Sequence, residues 1–311
     1  MVAKSILNVF WALFARGVLV IHAIITVWRV QDIVGNTLYW FLLFGISFLL
    51  YETLYTLAKN GGNEGKWVCP CFFFYLLSTV PSIWILELDR LSRYDEVYQN
   101  ANLTATQESL SSVQGVTIPI KLGADVWVSV IEQSLLFLLI LCRWILPRGE
   151  ITRDQLSQLL FVYIGMASDI MELFVLFDEE KVRRDKGLVY VILVAWTISL
   201  LQFCLVLTAT KNPKKARVAI RPVTDTVNVK KKKKDYLIMC LTTEVWSLMV
   251  TFLMQDGPFL CVRLFTLINH NLITYNILFF TCKNMLVVML LTYRLIVLCG
   301  RSNDPEKKSE D

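Results

Sequence analysis

Residues 124–146 read ADVWVSVIEQSLLFLLILCRWIL, with Asp125 at one end, Arg143 near the other and Glu132 the one charge between them. As a helix rising 1.5 Å per residue this stretch is about 34 Å long, enough to cross a hydrocarbon layer roughly 30 Å thick. Seven further stretches of this kind lie at 5–28, 36–57, 67–86, 155–177, 187–208, 236–255 and 272–298. A shorter run, 258–268, cannot cross alone, and Gly257-Pro258 opens it as proline can open a first helical turn. The expectation is an all-α integral membrane protein of about eight transmembrane helices, with a short half-helix before the last span.

Composition agrees. The chain has 311 residues, 55% of them hydrophobic and 18% charged, and its mean hydropathy is +0.53. Soluble domains average about 25% charged residues, so a soluble enzyme, a disordered chain and a collagen-like fibre are excluded. The first span is read as an anchor, not a cleaved leader, because Arg16 interrupts it and no small-residue cleavage site follows.

Two features orient the spans. Asn102-Leu103-Thr104 is a glycosylation sequon in the long polar loop 88–123, which places that loop in the lumen or outside the cell. Ten of the 31 Lys and Arg residues fall in the loop 211–235, including Lys230, Lys231, Lys232, Lys233 and Lys234, and such a loop belongs in the cytoplasm. Three spans separate the two loops, so the assignments agree and put both termini in the cytoplasm. The chain is then one polytopic domain, 1–311, ending in a polar tail, 300–311, in the plasma membrane or a membrane of the secretory pathway.

Charges within the spans carry the functional reading, because burying one in hydrocarbon costs about 2.5–3.5 kcal/mol on insertion scales. Arg16, Glu52, Glu132, Asp169, Glu172, Glu244 and Lys283 all lie inside apolar segments. At about 100° per residue, Gln158, Gly165, Asp169 and Glu172 share one helix face, and Glu244, Ser247, Thr251 and Gln255 form a comparable stripe, with a wider offset at Ser247. Depth allows Arg16 to pair with Glu52, and Lys283 with Glu244 or Asp169. Acids outnumber bases, so these groups either form structural ion pairs or line a polar path through Glu132, Asp169, Glu172, Glu244 and Lys283 that admits a small cation or a proton. His22, alone on its span, reads as an interhelical histidine with its hydrogen bonds satisfied. The five lysines from Lys230 suit an anionic leaflet, at about 1 kcal/mol each. Membrane lipid, an unidentified protein or a second copy of the chain are the expected partners, and nucleic acid is not.

No GxSxG, HExxH, P-loop or GxGxxG is present, and only two histidines occur, so no enzyme activity and no cofactor are expected. The eight cysteines lie in or beside apolar runs, which argues against an extracellular disulfide framework. Cys69-Pro70-Cys71 has no second Cys/His pair at zinc-site spacing, so no metal is expected either.

Residues 151–160, ITRDQLSQLL, and 255–260, QDGPFL, resemble the transmembrane protein 26 family, with weaker similarity at 27–30, 81–84 and 188–190. The resemblance runs from the first span to the eighth and implies a multi-pass membrane protein; it carries no catalytic residues onto this chain. Both longer segments fall at expected membrane boundaries, where Thr152 is placed to cap the fifth span. The functional expectation is a conduit or carrier for a small cation or proton. The alternative is a membrane scaffold or accessory subunit whose basic loop docks on lipid or a partner.

Overall fold

Val2–Val34, 33 residues without proline, forms helix α1. Gly35 ends it by taking a φ of 71° and returning its N–H to the Gln31 carbonyl at 2.8 Å, a left-handed stop that glycine adopts without strain. Asn36 accepts the Leu38 N–H at 2.9 Å and starts a 3-10 stretch, Thr37–Leu43, that runs into α2, Phe44–Asn60. The computed structural model describes residues 2–65, 68–100, 124–147, 149, 151–205, 246 and 248–303. Its remaining helices in the first half of the chain are α3 (Pro70–Asn100), α4 (Ala124–Ile145), α5 (Arg153–Phe174), the five-residue α6 (Glu180–Arg184) and α7 (Lys186–Leu200). Among the described residues no strand forms, and Val68 and Leu205 make an isolated antiparallel bridge.

Among the described residues, eight helical segments are long and apolar enough to cross a membrane, as expected. Two outlast their expected lengths, because the charges that seemed to end them are paired along the helix. Beyond Trp28, Arg29 stays buried and reaches Asp32 at 2.6 Å. Beyond Leu86, Arg90 meets Glu87 at 3.2 Å and Arg93 meets Asp89 at 3.0 Å, spacings that put each pair on one helix face. The start of the polar stretch 88–123 is therefore helical to Asn100.

The chain divides into two units, Met1–Val206 and Leu207–Asp311. In the first, α3 is central and packs against α1, α2, α4 and α7, while α4 and α7 also pack against α5. Large apolar side chains such as Phe10, Phe14, Phe41 and Phe161 remain exposed on the outside of this bundle, the surface that hydrocarbon would cover.

The second unit departs from the half-helix expectation. Leu248–Asn269 makes a single candidate span, and the run expected to stand apart, 258–268, is its second part, within α8 (Gly257–Asn269). A π-helical turn, Phe252–Asp256, joins the two parts. Pro258 lacks an N–H and its ring crowds the carbonyl four residues back, which would break a regular helix. Here the Gly257 N–H closes on the Phe252 carbonyl, five residues back, and the wider turn absorbs the proline. Only glycine fits at 257, since a Cβ there would lie 2.7 Å from the Phe252 oxygen. The last helix, α9 (Tyr275–Asn303), packs against α8; buried Arg263 of α8 donates to the Phe280 carbonyl at 3.2 Å.

Candidate functional site

Three buried polar clusters lie along α3 in the first unit. The first is built on Arg16, 2% exposed, at the end of the bundle where α1 begins. Its Nε donates to Glu52 Oε2 at 3.2 Å, and its Nη2 donates to Glu52 Oε1 at 3.1 Å and to Glu64 Oε1 at 2.6 Å. Thr56 adds a hydroxyl to Glu52 Oε1 at 2.6 Å. The planar guanidinium thus holds one carboxylate in a fork and a second beside it, a geometry an ammonium could not reproduce. Buried Arg143, from the end of α4, also acts on Glu64. Burial pushes the Glu64 carboxyl above its ordinary range, and the attraction of Arg16 opposes that shift. Two bases against two acids leave the cluster formally neutral.

The Arg16–Glu52 pair is the one expected from depth. Glu64 was missed because it follows Asn60-Gly61-Gly62-Asn63, which reads as a solvated loop. The loop instead turns back into the bundle and buries the acid. The local signal was the crowding of glycines around it, Gly61, Gly62 and Gly65.

About 9 Å further along α1, by helical rise, comes His22. Its Nδ1 is 2.7 Å from the Tyr75 hydroxyl and its Nε2 is 2.9 Å from Ser134 Oγ. Ser134 spends its one proton on the Ile131 carbonyl at 3.0 Å, so Nε2 must carry the ring proton and Nδ1 must accept from Tyr75. The result is a single directed chain, Tyr75 to His22 to Ser134 to the backbone. This is the satisfied interhelical histidine expected from sequence, joining α1, α3 and α4.

The third cluster lies beyond it on α3 and α4. Glu87 and Glu132, 1% and 5% exposed, interact with each other and with Arg90, whose Nη1 is 3.2 Å from Glu87 Oε1. Between the second and third clusters, Ser78, Thr79 and Ser82 are fully buried, with their hydroxyls donated to the carbonyls of Leu42, Tyr75 and Ser78. From Cys71 to Glu87 the polar face of α3 covers about 24 Å.

Of the acids proposed from sequence to line the path, Glu132 alone among the described residues belongs to this column. Asp169 and Glu172 are half-buried on α5. Lys283 belongs to the second unit, with its ammonium 5.7 Å from the centre of the Phe280 ring. Glu244, the lysines Lys230 to Lys234 and Asn102 lie outside the described residues. Glu87 escaped the sequence reading because it was placed at the membrane edge, whereas α3 continues well past it.

A family model described as transmembrane protein 26 matches residues 6–294, nearly the whole chain. The chain belongs to this family. No solved structure matches it. The family-like segment 151–160 contains the helix start expected of it. Thr152 Oγ1 accepts the Gln155 N–H at 3.2 Å and the Gln155 side chain accepts the Thr152 N–H at 3.1 Å, a reciprocal capping box. The other segment, 255–260, contains the end of the π-helical turn and the first residues of α8. In this family member both segments therefore shape helices.

Proposed function

We propose that this multi-pass membrane protein passes protons along the α1–α3–α4 interior of its first unit. The reading rests on one observation, the directed hydrogen-bond chain through both nitrogens of His22. Imidazole is the side chain best suited to accept a proton on one nitrogen and release another from the opposite one near neutral pH. A proton handed by the Tyr75 hydroxyl to Nδ1 releases the Nε2 proton to Ser134 Oγ. Ser134 turns its own proton from the Ile131 carbonyl to a water on the Glu132 side, and Tyr75 takes a proton from a water on the Arg16 side. A flip of the ring with the return of both hydroxyls resets the chain. The buried carboxyls of Glu87 and Glu132 supply a proton store on one side and the Arg16 cluster faces the other. A metal cation would need an open, wet pore; a proton needs only such contacts and occasional water. The expected path through α5 and the later spans thus narrows to one that keeps Glu132.

Protein reconstituted in liposomes with an internal pH dye tests this. Proton entry above that of protein-free vesicles is expected, with His22→Phe and Glu132→Gln each lowering it about tenfold, the effect of about 1.4 kcal/mol on a rate-limiting transfer. No entry above protein-free vesicles, or entry untouched by both substitutions, overturns the reading. A loss confined to Asp169→Asn overturns this path in favour of α5.

The proposed direction has both termini in the cytoplasm, as the sequon at Asn102 and the basic stretch 211–235 suggest. The Arg16 end of the bundle then faces the cytoplasm.

A further inference from the structure

We propose that Glu64, Cys69 and Cys71 bind one Zn2+ at the end of the bundle where α1 begins. Cys69 Sγ lies 3.3 Å from Cys71 Sγ and 3.6 Å from Glu64 Oε2, and the donor atoms of all three residues lie within 4.8 Å of one another. With Zn–S near 2.3 Å and Zn–O near 2.0 Å, tetrahedral ligands stand about 3.8 Å apart for two sulfurs and about 3.5 Å for sulfur and oxygen. The sulfur–oxygen spacing already matches a coordination shell, the two sulfurs need to part by about 0.5 Å to match it, and both cysteines are free thiols.

The backbone is shaped to make that approach. Gly65 permits the turn between Glu64 and Cys69, since a Cβ there would lie 2.7 Å from the Val68 carbonyl oxygen. The Cys69 N–H is tied to the Cys204 carbonyl at 2.8 Å, and Pro70 starts α3, placing both sulfurs at the N-terminal end of that helix. Glu64 offers its two oxygens to different tasks: Oε1 stays on Arg16 while Oε2 faces Cys69, an outer contact that fixes a ligand's orientation. Charge also balances. Arg16 and Arg143 offset Glu52 and Glu64, and Zn2+ entering as two thiol protons leave changes the cluster's total by nothing. Water can complete the shell. Asn63, the residue before Glu64, lines an open cleft of about 900 Å³. The CxC spacing alone pointed away from metal because the third ligand arrives from the folded-back loop. The site shares Glu64 with the Arg16 cluster at one end of the proton path, but none of its ligands lies between His22 and Glu132, so zinc binding and proton entry are tested by different substitutions.

The full-length protein, purified in detergent under a non-thiol reductant, is stripped with chelator, exposed to Zn2+ and desalted. One zinc per chain by elemental mass spectrometry is expected. Cys69→Ser and Cys71→Ser should lose it, Glu64→Gln should bind about 100-fold more weakly, and Cys261→Ser, an exposed cysteine of the second unit, should keep it. Zinc well below one per chain in the unaltered protein, or equal in the two serine variants, overturns the proposal. Should the variants fail to run as a single species on gel filtration, Co2+ added to the unaltered protein decides: a thiolate-to-cobalt absorption band supports the site and its absence overturns it.

Discussion

Arg16 and Glu64 are 48 positions apart in the chain and 2.6 Å apart in the bundle, both sealed from solvent. Removing one partner of a buried ion pair leaves a charge uncompensated and costs about 3–5 kcal/mol. Arg16→Met, which strands two acids, is expected to lower the unfolding midpoint in detergent sharply. Adding Glu52→Gln and Glu64→Gln to it should recover most of the loss. If the triple variant is no more stable than Arg16→Met, the cluster is not the source.

Glu64 also gives stability a pH signature. Its carboxyl is raised from the ordinary 4.5, first by burial, although Arg16 pulls the other way. A raised acid favours the folded state most below the unfolded value, and that contribution is lost as pH rises through the folded one. Stability measured upward from pH 4.5 should therefore carry a falling component that Glu64→Gln abolishes. An identical pH profile in the variant counts against this assignment.

His22 can be tested structurally, apart from any flux. His22→Phe leaves the Tyr75 hydroxyl and Ser134 without their partner, and a buried unpaired polar group costs about 1–3 kcal/mol. Adding Tyr75→Phe and Ser134→Ala to that variant should restore part of the stability, measured by thermal unfolding. No recovery would show that the two hydrogen bonds are not coupled through the ring.

Gly257 is expected to tolerate no side chain. In Gly257→Ala the new methyl meets the Phe252 oxygen, and overpacking of this kind costs about 1–3 kcal/mol. Hydrogen exchange of the amides around 252–262 should speed up in the variant while those of α1 and α3 stay unchanged. Unchanged exchange across that window would place the π-helical turn in doubt.

The proposed orientation predicts that Asn102 carries a glycan. Expression in cells with a secretory pathway should yield a species whose mobility shifts on glycosidase treatment and in Asn102→Gln. A shift in neither would reverse the assignment of the 88–123 loop.

Span number was legible because each span needs about twenty apolar residues in sequence. The Thr152 cap and the Arg16–Glu52 pair were legible too, the first from local chemistry and the second from depth along neighbouring antiparallel helices. Glu64 was not, since whether a polar loop folds inward depends on packing that no local pattern encodes. Glu87 was hidden because an acid paired with Arg90 at i+3 looks the same in sequence as one that ends a span. The π-helical turn before Pro258 was hidden for a similar reason: Gly-Pro marks helix starts far more often than a widened turn in mid-helix.

Pro81 lies inside α3 with no N–H to close the rung there, and it divides the clusters between two arms of one rod. Tyr75 and Cys71 ride on the first arm, Glu87 and Arg90 on the second. Glu87 stands six residues past the pivot, a lever of about 9 Å, so a swing of about 10° moves its backbone by about 1.6 Å. That displacement is enough to part a side chain from a hydrogen-bonded neighbour on α4, and the missing rung makes this the cheapest place along α3 to bend.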